Sequence, residues 1–253
     1  MVNVKAVSDY INSFAPYETQ CSWDNCGLLV GDESKAVSKV GVCLDLTVET
    51  LKKAKEQAVD LVVTHHPLIF APQKNFLSGD KAYELAVAGI SLISAHTCFD
   101  CADGGVNDVL CGLLGISNVK GVATEETTVP MIRIGEVKEQ SSLDFAKLVS
   151  EKLGTVCRVV DCGNEIKRVA VCGGAGMDFY DEAVKAGADA YVTGEIKHHE
   201  MLYAKEKGVT VIEAGHFETE NPSMTALKDK LENQFSQVEF VILEQSSPVK
   251  FIG

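Results

Sequence analysis

Apolar residues recur along the chain in two periods. Val4, Val7, Ile11 and Phe14 share one face of a helix that ends before Pro16. Short runs of β-branched and apolar residues predict strands at 28–30, 39–46, 61–64 and 90–95. Helices are expected at 48–58, capped by Thr47, and at 80–88. Residues 70–79 read as a loop. Asp103-Gly104-Gly105 turns into a helix over 106–114, and 118–140 reads as strand and loop. A helix over 142–153, capped by Ser141 or Ser142, leads to a strand at 156–160. The pattern then restarts. Strands at 168–172, 190–193, 209–213 and 238–243 alternate with helices at 178–186, 196–206 and 221–235.

The restart has a fixed offset. Lys39-Val40-Gly41-Val42-Cys43 lies over Arg168-Val169-Ala170-Val171-Cys172, and 59–64 lies over 188–193, both shifted by 129. Ser94-Ala95-His96 lies over Ala214-Gly215-His216 at a slipped offset. His96 precedes Asp100 by four residues, as His216 precedes Glu220. The expected fold class is therefore α/β: two similar lobes related by a pseudo-twofold internal repeat, with mixed sheets flanked by helices. The lobes are placed at 1–125 and 126–253, the first discontinuous and open to C-terminal elements.

Composition narrows the function. Net charge is −13, and the 23 basic residues are scattered. Nucleic acid is therefore not expected as the main partner, since a phosphate backbone needs a basic face. No run of about 18 apolar residues exists to span a membrane. Residues 1–20 contain Lys5, Asp9 and Glu18 and resemble no signal peptide. Nine cysteines, an odd number with several in apolar runs, point to reduced thiols and a cytoplasmic protein.

The chemistry gathers where strands stop. Leu61-Val62-Val63 runs into Thr64-His65-His66-Pro67, and Pro67 cannot continue a central strand. Ligands of open α/β sheets sit at the carboxyl ends of strands. Four of the six histidines (65, 66, 96 and 216) fall at such ends, with Asp100 and Glu220 at repeated spacing. Imidazole with carboxylate suits zinc, iron(II) or manganese, and a carboxylate such as Glu220 or Asp100 can bridge two ions. His198 and His199 either line a substrate cleft or sit on a solvated helix face. Cys98-x-x-Cys101 reads as a redox pair, as soft metal ligands, or as small packing residues. Gly173-Gly174-Ala175-Gly176 suits a phosphate approach or a tight turn between strand and helix.

Six motifs run in order along the chain: Trp23-Asp24-Asn25-x-Gly27-Leu28-x-Val30-Gly31, Thr64-His65-His66-Pro67, His96-Thr97-x-x-Asp100, Gly105-Val106-Asn107-Asp108, Gly194-Glu195 and Gly215-His216-x-x-Thr219-Glu220. Together they resemble the GTP cyclohydrolase I type 2 family of Nif-three-like dinuclear-metal proteins. The resemblance implies two divalent ions per chain and metal ligands His65, His66, Asp100, His216 and Glu220, with Glu220 as bridge. It also implies a homohexamer, a trimer of dimers with the sites facing a central cavity. Longer members carry an extra domain between the lobes, where this chain has only residues 118–160. The cysteines around Asp100 are not part of the pattern. The expected function is hydrolysis of a nucleotide or related small molecule by metal-activated water. Glu195, His96, His198 and His199 are candidate proton shuttles. The competing readings are a non-enzymatic metal-binding, metal-delivery or regulatory ring protein, and a structural ring whose metals only join the lobes.

Overall fold

The strand-helix-strand stretches bury the central residues of their strands and leave their helices half wet, which is what a parallel sheet covered by helices requires. The computed structural model describes residues 1–124 and 129–252. The chain divides into two compact units. One comprises Met1–Asp103 and Met224–Ser246, the other Gly104–Ser223 and Ser247–Gly253. The expected boundary at 125/126 lies outside the described residues.

The first unit opens with α1 (Val4–Phe14), β1 (Gly27–Val30), β2 (Lys39–Cys43), α2 (Val48–Glu56), β3 (Leu61–Thr64), α3 (Lys81–Ala88), β4 (Ser91–Ser94) and α4 (Thr97–Cys101). The second holds α5 (Val106–Leu114), β5 (Ser117–Val122), β6 (Ile132–Ser141), α6 (Ser142–Leu153), β7 (Arg158–Val160), β8 (Glu165–Cys172), α7 (Tyr180–Lys185), β9 (Ala190–Thr193), α8 (His198–Lys207), β10 (Thr210–Glu213) and α9 (His216–Glu220). Most of α10 (Pro222–Gln234) and all of β11 (Glu239–Ile242) return to the first unit.

The first unit's sheet has the order β1-β4-β3-β2-β11, parallel except for the edge strand β1. Its core packs Leu51, Ala54, Val62, Leu85, Leu92 and Leu243 between sheet and helices. Each valine or leucine among these contributes about 1.5–3 kcal/mol on full burial. Gly41 of β2 lies under Leu243, and a Cβ there would stand 2.7 Å from its Cδ1. That close approach requires glycine.

The second unit's sheet has the order β5-β6-β8-β9-β10-β7, with β8, β9 and β10 parallel and the others antiparallel. Its core gathers Leu110, Leu114, Phe145, Val149, Val169, Val171, Val192 and Ile212.

The repeat holds at the level of single hydrogen bonds. Val40 pairs with Leu61 and Cys43 with Thr64; Val169 pairs with Ala190 and Cys172 with Thr193. These are the same pairs shifted by 129. Asp60 Oδ2 accepts from Ser38 N and Lys39 N, and Asp189 Oδ2 accepts from Lys167 N and Arg168 N. Past β4 and β10 the register needs one correction. Ala95 N donates to Thr64 O and Ala214 N to Thr193 O, so Ala95 matches Ala214, not Gly215. Gly215, at φ +88°, therefore stands where His96 stands in the first unit, one residue before the helix, and His216 falls one position later.

The helices α4 and α9 are absent from the sequence expectation. Each has five residues, and every residue of α4 is buried, so no amphipathic stripe announces it. The helix expected at 178–186 forms only from Tyr180, after a 3₁₀ turn over Gly176–Phe179. Among the described residues, no helix is long and apolar enough to cross a membrane.

Candidate metal centre

In the first unit, β3 ends at Thr64 and delivers His65 and His66, while β4 delivers His96 two residues past Ser94. Each ring is oriented by an oxygen at Nδ1. His65 Nδ1 lies 2.9 Å from Ala95 O, His66 Nδ1 2.7 Å from Asp45 Oδ1, and His96 Nδ1 2.8 Å from Asp24 Oδ1. A carbonyl or carboxylate oxygen only accepts, so Nδ1 carries the hydrogen and Nε2 keeps its lone pair. This is how metal-binding histidines are fixed in tautomer and direction. Ligand atoms of His65, His66 and His96 lie within 4.8 Å of one another. Asp100, on α4, brings Oδ1 to 3.6 Å from His65 Nε2.

Asp24 does more than orient His96. Its Oδ2 accepts from Thr97 N and from Thr97 Oγ1, and so caps α4 from a distant loop. Burial raises the pKa of this carboxyl, but the hydrogen bonds from His96 and Thr97 outweigh it and hold the group well below the usual carboxylate range. Asp24 is therefore a fixed anion behind the His96 ring.

In the second unit, β10 leads through Gly215 to His216 at the start of α9. His216 Nδ1 lies 2.7 Å from Glu195 Oε1, and its Nε2 lies 3.0 Å from Oε2 of the buried Glu220, one helical turn on. With Nδ1 committed to Glu195, Nε2 beside a carboxylate calls for a second proton or a cation. Gly174 closes over this pair at φ +60°. A Cβ there would come within 2.1 Å of Glu220 Oε1 and 3.1 Å of His216 Nε2. The glycine-rich turn thus serves a carboxylate. Asn107 secures it: its Oδ1 accepts from Gly173 N and its Nδ2 donates to Met131 O.

The repeat explains an asymmetry. The strand-end positions that carry His65 and His66 in the first unit carry Gly194 and Glu195, shifted by 129, in the second. Glu195 then orients a histidine as Asp24 and Asp45 do. Side chains of His198 and His199 stand exposed on the first turn of α8. Among the described residues, neither joins a group of three potential ligands. Asp24 and Asp45 were missed as site residues. The Trp23-Asp24-Asn25 motif signals the first only as a turn, and nothing local signals the second.

Imidazole nitrogen with carboxylate oxygen fits zinc, iron or manganese rather than the all-oxygen sites of magnesium or calcium. A family model described as Duf34/NIF3 (NGG1p interacting factor 3) matches residues 2–248. The chain belongs to this family. It is 34% identical to a Clostridium perfringens protein named GTP cyclohydrolase 1 type 2 homolog, over 97% of this chain and 98% of that one. Among solved structures, the Staphylococcus aureus hypothetical protein SA1388 is 27% identical with a TM-score of 0.90, covering 99% of each chain. Reduced HcgD from Methanocaldococcus jannaschii is 30% identical with a TM-score of 0.84, covering 96% of this chain and 98% of that one. For this Duf34/NIF3 chain, buried His, Asp and Glu groups able to hold a metal ion are therefore in place.

Proposed function

We propose that this Duf34/NIF3 protein holds two divalent ions through His65, His66, Asp100, His216 and Glu220, and hydrolyses a nucleotide or related small molecule. The observation that carries the reading is the common setting of the histidines. Each has Nδ1 on an oxygen, and Nε2 of His65 and of His216 faces a carboxylate. When bound, such ions supply Lewis-acid activation of water near neutral pH. The chain's own groups do the rest. Asp45 and Glu195 keep the rings of His66 and His216 in one tautomer. The buried anion Asp24 does so for His96, whose Nε2 is left to move a proton or to serve as a further donor. Glu195 is half solvated and able to pass a proton between His216 and water. His198 and His199, on the exposed turn nearby in sequence, would meet substrate rather than metal.

The name carried by the relatives points to a purine nucleotide as the first compound to test. The same family reading extends to a cytoplasmic ring of six chains, a trimer of dimers.

The test is metal content per chain in purified protein, wild type against His65→Ala and Glu220→Ala, followed by a nucleotide hydrolysis screen. About two ions in the wild type, reduced in both variants, with turnover that follows the metal, is the expected result. Metal without turnover on any nucleotide would favour storage or delivery. No uptake of zinc, iron(II) or manganese would remove the reading.

A further inference from the structure

The Cys98-x-x-Cys101 spacing suggests a pair within α4, but the sulfur that meets Cys98 comes from another element. Cys98 Sγ donates to Cys26 Sγ at 3.4 Å, across 72 residues of sequence. Cys26 Sγ in turn lies 3.4 Å from Asp24 Oδ2 and accepts from His96 N. Cys98 is fully buried, whereas Cys26 is only partly so. All nine cysteines are free thiols.

We propose that Cys26 and Cys98 form a peroxide-oxidised dithiol site, Cys26 being the sulfur attacked first and Cys98 the resolving one. The geometry carries the assignment. The two sulfurs are in van der Waals contact, so a disulfide of about 2.05 Å needs an approach of only about 1.4 Å. Access sets the order, because an oxidant reaches the partly exposed residue before the buried one. In the first step the peroxide O–O bond breaks and an S–O bond forms at Cys26. One water leaves with the Cys26 thiol proton. In the second step Cys98 sulfur displaces that oxygen: S–S forms, S–O breaks, and a second water carries off the Cys98 proton. The two thiols give up two electrons and the peroxide takes them.

The bond would tie the segment bearing Asp24 to α4, which follows His96 and bears Asp100. It would therefore stiffen one half of the candidate centre. The proposal does not depend on the hydrolase reading, since it concerns the sulfurs alone.

The experiment titrates the full-length reduced protein with hydrogen peroxide, alkylates it, and locates linked peptides by mass spectrometry. Expected are the loss of two thiols from nine, reversal by dithiothreitol, and a link that persists in Cys21→Ser and Cys101→Ser. The link should vanish in Cys26→Ser and in Cys98→Ala; the first sits at the more tolerant, partly exposed position. A link lost in Cys101→Ser but kept in Cys26→Ser would overturn the assignment in favour of the spacing within α4. Accumulation of sulfinic acid at Cys26 with Cys98 still reduced would overturn it as well.

Discussion

At the scale of single residues, the candidate centre depends on groups that would not touch a metal. Removing an oxygen that orients a ligating histidine typically costs 10–100-fold in metal affinity. Asp45→Ala should weaken binding by about that factor, and Asp24→Ala should weaken it by removing the cap of α4, which bears Asp100, both measured by competition with a chromophoric chelator. Asp9→Ala, on the exposed face of α1 beside Lys5, serves as control and should change nothing. Unchanged affinity in both test variants would mean that the rings are held by packing instead. Glu195→Ala should fall at the low end of the range, because its carboxylate is more exposed. Gly174 permits a sharper prediction. Alanine there meets both a left-handed backbone and the Glu220 carboxylate. Gly174→Ala should cost about 1–3 kcal/mol of stability and displace Glu220. Metal content should fall as it does in Glu220→Ala, whereas Gly154→Ala, at a helix end with open space around it, should leave metal content intact.

Among elements, the repeated β-α-β unit shows what a sequence can and cannot reveal. Strands β2, β3, β8 and β9 are legible because apolar runs of four or five residues stop at turn chemistry. The 129-residue offset is legible because the same number of residues separates the paired strands in both units. Four histidines at strand ends were legible for the same reason. Asp24 and Asp45 were not, because their partners are 72 and 21 residues away and no local pattern encodes such a contact. The helices α4 and α9 escaped notice because one turn is too short for a periodic signal. Asp60 shows the repeat in energetic terms. It ties the start of β2 to the turn before β3 by accepting from Ser38 N, Ser38 Oγ and Lys39 N. Burial raises its pKa, yet those bonds and Lys35 outweigh it and lower the value from 3.8. A carboxyl with a lowered folded-state pKa stabilises above its unfolded value and loses that contribution as pH falls through the folded one. Asp60→Asn should therefore cost about 1–2 kcal/mol at pH 6, by denaturant titration, and the gap to wild type should close towards pH 3. A gap independent of pH would show that geometry, not charge, makes the contribution.

For the molecule as a whole, each unit owns a buried core, so each can hold its strand ends in place by itself. The implied ligands are divided between them, with His65, His66 and Asp100 in one and His216 and Glu220 in the other. A net charge of −13 favours cations at any such cluster but does not select a site. Linkage separates the two. An ion that binds only the folded protein stabilises it by about 2.7 kcal/mol at 100 times its Kd. In a chain of this size each kcal/mol moves the melting temperature by about 2–4 °C, so loading should raise it by about 5–11 °C. If one centre draws ligands from both units, His216→Ala should remove most of that shift, although His216 lies outside the unit that carries the three clustered histidines. Calorimetry of metal-free and metal-loaded protein reads this directly. A full shift retained in His216→Ala would confine the metal to the first unit, where His65, His66, His96 and Asp100 would form a complete donor set. The dinuclear reading would then give way to a single ion held by one unit, with Glu220 and Gly174 serving the second unit's own structure.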